Sequence, residues 1–316
     1  MSSHRAGRRM IVFLLLAGAV AGAFRHLDHG QDLRRGTLLP ERVEIAEVPF
    51  YPQEAYQCGP AAMAMALGWS GLALTPDELV GEVYTPARRG SLQTGLISAA
   101  RRHDRLAYAF NGVDRLLGEV AAGHPVIVLQ NLGTGWYPVW HYAVVVGFDR
   151  TADAIILHTG IDQARADGWS RFLFTWERSQ YWGLVVLPPG KLPADADENA
   201  YLKAVLGLEQ ARRWDAAARA YAGALKRWPA SLGALVGLAN CRIAQKDWAA
   251  AEQALRRAVD AAPGSGDAAN NLAHVLNRRG QREEALVWAR RAVAIGGPHQ
   301  AVYRQTLQEI EERQQP

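Results

Sequence analysis

The chain has 316 residues and a mass of 34.6 kDa, room for about two domains. Hydrophobic residues make up 49% and charged residues 21%, which excludes a mostly disordered chain. Thirty-five basic against 31 acidic residues give +4, or +1 once Arg5, Arg8 and Arg9 of a leader are set aside, so the balance does not argue for nucleic acid.

Residues Met1 to Arg9 are polar and basic, and the 15 residues Met10 to Phe24 carry no charge. A basic stretch before an apolar one predicts an export signal or short membrane anchor over 1–24, since a comfortable membrane span needs roughly 20 residues. The rest of the chain is then periplasmic, free or anchored in the inner membrane and facing the periplasm. From about Glu44 to Pro189 the pattern mixes helix and strand. Pro60–Trp69 reads as a helix with Ala62, Met63, Ala66 and Leu67 on one face. Thr75-Pro76-Asp77-Glu78 is a helix start, and Ser91 opens another helix through about His103. Pro125–Gln130, His141–Phe148, Ala154–Leu157, Arg171–Phe174 and Trp182–Leu187 read as strands from their length and β-branched content. Helices followed by a strand cluster predict an α+β domain over 44–189.

The Pro- and Asp-rich segment 190–199 reads as a linker. Over 200–313 the sequence then repeats every 34 residues: Trp214 and Trp248, Pro229 and Pro263, Ala217, Ala251 and Ala285, Ala224, Ala258 and Ala292. Small residues at fixed helical positions let paired helices approach closely. The period matches the tetratricopeptide repeat, an all-α solenoid, with Ala301 to Arg313 as a capping helix. The repeats are expected to bind a protein partner. Their Arg pairs, such as Arg256-Arg257 and Arg290-Arg291, read as solvated helix faces.

Phosphate-binding glycine loops, serine-nucleophile elbows and H-E-x-x-H are absent from the sequence, and no cofactor or metal is called for. The two cysteines, Cys58 and Cys241, exclude a disulfide-dense scaffold and a four-thiolate zinc site. Chemistry falls to Cys58, in Gln53-Glu54-Ala55-Tyr56-Gln57-Cys58-Gly59-Pro60. A cysteine just before a helix sits where unpaired N–H groups and the helix dipole favour a thiolate. Gly59 permits a tight entry, and the Gln53 amide is placed to face a developing oxyanion. His141 opens the strand His141-Tyr142-Ala143-Val144-Val145-Val146-Gly147-Phe148, and Trp136, Tyr137, Trp140 and Tyr142 crowd its approach, as cleft wall or as core.

Q…CGPA followed 83 residues later by HYAVVVGFD resembles the C39-like branch of papain-fold cysteine peptidases, over about Glu44 to Pro189. The resemblance implies a papain-like cysteine peptidase fold with Cys58 as nucleophile, His141 as general base and acid, and Gln53 as oxyanion donor. The family's third catalytic residue is usually Asp at the end of the next strand; here His158 or Thr159 stands in its place. The resulting reading is an exported C39-like cysteine peptidase acting on a peptide or protein. The alternatives are a non-catalytic peptide-binding adaptor and a thiol acyltransferase.

Overall fold

The computed structural model describes residues 39–53 and 57–312; the expected export signal over 1–24 lies outside them. Among the described residues, no helix is long and apolar enough to cross a membrane. Backbone contacts divide the described residues into two compact units, one of those up to Leu96 with Ala109–Val185 and one of Ile97–Tyr108 with those from Val186 on.

In the first unit, helix α1 (Cys58–Trp69) has nine consecutive buried residues, Gly59 to Leu67. A helix apolar all round belongs in a core, and α1 packs on strands β5 (Val126–Asn131) and β6 (Trp140–Asp149). Helix α2 (Pro76–Val83) starts on the expected cap. The Thr75 side chain accepts from the Glu78 N–H, and the Glu78 carboxylate accepts from the Thr75 N–H at 2.7 Å. Ser91 does not open the following helix. It closes a small ribbon, β2 (Tyr84–Thr85) with β3 (Gly90–Ser91), and helix α3 begins at Gln93 and ends at Arg102.

Three further strands, β7 (Ala154–Thr159), β8 (Asp162–Gly168) and β9 (Trp182–Leu187), join a sheet of order β4-β9-β5-β6-β7-β8, where β4 is Leu106–Asn111. Strand β1 (Arg42–Glu44) adds to the far end of β6, with Val43 opposite Phe148. The pairings of β5 through β8 are antiparallel. Helix α4 (Val113–Ala121) lies between β4 and β5 in sequence.

One expected strand is a helix. Arg171–Phe174 lies inside α5 (Trp169–Trp176), where Trp169, Phe172, Leu173 and Trp176 are all buried. Those positions recur at helical spacing, and the four residues RFLF are too short to reveal it. Strand β8, with the sequence DQARADG, is a polar edge strand and carries no apolar alternation.

The second unit is a helical array whose order follows the sequence period: α6 (Glu198–Gln210), α7 (Trp214–Arg227), α8 (Leu232–Ala244), α9 (Trp248–Ala261), α10 (Gly266–Arg278), α11 (Arg282–Ile295) and α12 (Gln300–Glu312). Helices α6, α8, α10 and α12 start 34 residues apart, and so do α7, α9 and α11. Asp197, Ser231 and Ser265 cap three of them in phase, each accepting from the N–H three residues on. Ala217, Ala251, Ala285, Ala224, Ala258 and Ala292 are fully buried, which is the physical content of the repeat. The capping helix α12 thus has the phase of a first helix in a fourth repeat. Several repeat arginines are paired as well as solvated: Arg256 bridges Glu252 and Glu284, and Arg279 also meets Glu252. Asp104, which clusters with this unit, takes both forks of Arg213 at 2.7 and 2.6 Å.

Gly147 marks an irregular step in the β6–β7 register, and a Cβ there would sit 2.3 Å from the Val43 carbonyl oxygen and 3.1 Å from the Glu44 Cα. Gly147→Ala is therefore expected to push β1 off β6 and cost about 1–3 kcal/mol. Urea unfolding checks this, and an unchanged midpoint would contradict the close approach.

Candidate active site

The sequence motif around Cys58 becomes a helix N-terminus at a cleft. Cys58 is the first residue of α1 rather than the residue before it, and its capping position, Gln57, makes no side-chain cap. Gly59 has a more specific task than a tight entry. A Cβ on it would lie 2.2 Å from Ser91 Oγ, so the glycine is the space that the β2–β3 ribbon needs to close over the start of α1. The sequence marks Ser91 only as a helix start and not as a site residue, and its hydroxyl is buried with no hydrogen-bond partner among the described residues.

Gln53, Cys58 and His141 line one cleft of about 1060 Å³, together with Ser91, Trp140 and Tyr142. Gln53 is held twice. Its N–H donates to the Gly160 carbonyl at 2.8 Å, and its side-chain Nε2 donates to the Tyr142 carbonyl at 3.2 Å. One amide hydrogen on Nε2 is thereby committed, and a second remains. The Tyr142 ring is buried, stands edge-on to Trp182, and donates its hydroxyl to the Ser91 carbonyl at 3.2 Å. Trp136, Tyr137 and Trp140 are exposed, so the four aromatics divide into one core residue and three on the surface.

The position of the missing carboxylate is occupied by Thr159. Its Oγ1 lies 2.8 Å from His141 Nε2. His158 faces elsewhere: its ring stands edge-on to Phe50, Nδ1 accepts from the Ala164 N–H, and Nε2 lies 3.3 Å from the Val48 carbonyl. Those partners hold a neutral ring between β7, β8 and the segment before α1. When His141 donates its Nε2–H to Thr159, its Nδ1 keeps a lone pair that can take a proton. Asp149 is no substitute, because its carboxylate closes the turn after β6 by accepting from Thr151 and Ala152.

The electrostatics favour the uncharged pair. Burial pushes the Cys58 thiol up, against the opposing pull of backbone hydrogen bonds from Tyr142, Gly59 and Cys58 itself. Burial, with the Arg165 charge adding to it, pushes His141 down to about 4. The expected bias of a helix start toward thiolate is thus outweighed by desolvation. Cys58 and Cys241 are both free thiols, and Cys241 is buried. Among the described residues, no group of three or more His, Cys, Asp or Glu side chains could hold a metal ion.

The model of the Peptidase_C39 like family matches residues 45–183, and two tetratricopeptide-repeat models match residues 202–266 and 242–310. No curated protein matches the chain. A protein assigned as a C39-like peptidase from Bacillus anthracis is 18% identical, with a TM-score of 0.40, over 47% of this chain and 98% of its own. The Yersinia enterocolitica type III secretion chaperone SycD, solved with a peptide of the translocator YopD, is 14% identical over 37% of this chain and 94% of its own, at a TM-score of 0.35. YrrB, a repeat protein described as having an unusual peptide-binding site, is 21% identical over 37% and 60%, at 0.34.

A folded His141 that titrates near 4 sets a pH dependence, because an unfolded imidazole titrates near 6.5 and takes the proton first as pH falls. The stability carried by the neutral ring is complete above about pH 6.5 and is lost toward pH 4, roughly 3 kcal/mol. His158, also lowered by burial, acts in the same direction. Urea midpoints should fall over this window and fall less steeply in His141→Gln. An identical slope in the variant would contradict a buried neutral ring.

Proposed function

A C39-like peptidase domain matches residues 45–183 of this chain and tetratricopeptide repeats follow it, and on that premise we propose that the protein is an exported thiol peptidase whose repeats hold a protein partner. The observation that carries the reading is the meeting of Gln53, Cys58 and His141 in one cleft, with the Thr159 hydroxyl 2.8 Å from the His141 ring.

In the proposed reaction His141 removes the Cys58 proton as the sulfur attacks a peptide carbonyl. The free amide hydrogen of Gln53 and a backbone N–H at the start of α1 hold the oxyanion. His141 then protonates the leaving amine, and water hydrolyses the thioester with His141 again as base. The shifts of Cys58 and His141 toward neutral forms suit proton transfer during attack better than a standing thiolate–imidazolium pair. Thr159 orients the ring as a neutral partner does in related triads, with less support for the imidazolium than a carboxylate gives. The uncharged run Met10 to Phe24 behind a basic start supports export, and the helical array supports binding to a protein partner.

Iodoacetamide alkylation of Cys58 against pH, on a Cys241→Ala background, tests the pair. Replacing the Thr159 hydroxyl by a carboxylate raises His141 by about 1–3 pKa units, so Thr159→Asp should speed alkylation at pH 7 by roughly 10-fold or more. His141→Ala should abolish that gain, and Cys58→Ala should remove both alkylation and peptide cleavage. If Cys58 reacts identically with and without His141, the thiol is uncoupled and the peptidase reading falls in favour of a peptide-binding module.

A further inference from the structure

The cleft around Cys58 is skewed in charge. Arg88, Arg89 and Arg178 line it, and among the described residues no carboxylate does. The whole sequence is nearly balanced, with 35 basic and 31 acidic residues, so composition does not explain the skew. Arg88 and Arg89 form the tip of the β2–β3 ribbon. Arg88 ends a short 3₁₀ turn, and Arg89 follows in the left-handed region at φ 46° and ψ 44°, with its N–H on the Pro86 carbonyl. That backbone conformation is uncommon for a residue with a side chain, and Gly or Asn would adopt it more readily. Both arginines are exposed, and the ion pairs of the described residues include neither. Arg178 uses donors on the carbonyls of Asn131 and Gly133 and lies 4.4 Å over the Phe174 ring. Among the described residues these partners are uncharged.

Beside the arginines the rim is apolar. Tyr137 is 77% exposed and Trp140 48%, and Leu132 and Val139 stand next to them in the β5–β6 connection. Rigid aromatic surface at a cleft mouth offers contact area at low entropic cost.

We propose that this cleft takes an acidic peptide, with carboxylate side chains against Arg88 and Arg89 and an apolar side chain on Tyr137 and Trp140. The proposal rests on the peptidase reading for the fate of the peptide but not for its capture. Guanidinium groups meet carboxylates in paired hydrogen bonds, and a cleft lined by three arginines attracts anionic chains and repels cationic ones. Each exposed pair contributes little by itself, so several together are needed for a preference of about 10-fold.

The test uses the full chain carrying Cys58→Ala and three labelled 12-residue peptides that differ only at four positions, occupied by Glu, Gln or Lys, around a common Phe. Fluorescence anisotropy should show the Glu peptide binding about 10-fold tighter than the Gln peptide, with the Lys peptide weakest. The advantage should shrink with added salt. Arg88→Gln with Arg89→Gln should remove most of it without moving the melting temperature. Equal binding of the three peptides, binding of none, or a Glu preference that survives the double substitution would overturn the proposal. Mass spectrometry of the same peptides after incubation with the unsubstituted chain separates the two readings. A Glu peptide that is bound and left intact counts against peptidase activity alone, whereas peptides cut with no preference for Glu count against the acidic-peptide proposal alone.

Discussion

Helix α1 is apolar on every side, and its burial against β5 and β6 decides where its first residue comes to rest. A helix so placed cannot shift without exposing Met63, Met65 and Leu67, each wholly buried. Cys58 is therefore positioned by hydrophobic packing nine residues deep rather than by a polar anchor, since its N-terminus has no side-chain cap. The neighbours of the thiol follow from that placement. Ser91 fills the space a side chain on residue 59 would need, the backbone of Tyr142 meets the sulfur, and His141 stands one residue before it at the mouth of the strand.

The same burial shapes the electrostatics. Desolvation opposes charge on Cys58 and His141 together, and among the described residues the ring's side-chain partner is the Thr159 hydroxyl rather than a carboxylate. Carboxylates on these strands belong to other tasks. Asp149 closes a turn, and Asp162 and Asp167 are paired with Arg165, whose own charge acts on the imidazole in the opposing sense. Thr159 supplies orientation without charge. In the proposed reaction such a site keeps its thiol protonated at rest, and the proton passes to His141 as the sulfur attacks the carbonyl.

The parts of this arrangement legible in the sequence are those with a strong local signature. Cys58 precedes Gly-Pro at a helix start, His141 opens a β-branched run, and alanines recur every 34 residues where helices touch. The choice between His158 and Thr159 was not legible. Adjacent residues of a strand face opposite sides, but β7 is buried from Ile155 to Thr159, so no polar alternation sets its phase. Only pairing with β6, which shifts register between Val145 and Gly147, settles which residue meets the ring. Ser91 reads in the sequence as a helix start, and Arg88 and Arg89 carry no sequence signal, for a related reason. They sit on a ribbon whose strands are two residues long, too short for any period to show. Helix α5 shows its helical period only when Trp169 and Trp176 are taken together with Phe172 and Leu173 between them.

Sequence separation gives the site an order of assembly. Gln53 is tied to Tyr142 and Gly160, and the sulfur of Cys58 is covered by backbone from residue 142. Closing a loop of that size costs entropy before any contact repays it. The helical array has no such delay, because each of its helices packs on those next to it in the chain. During synthesis, then, Cys58 emerges long before the strands that enclose it. Until about residue 160 has followed, it is an open thiol, with neither the protection nor the partners that the finished cleft provides.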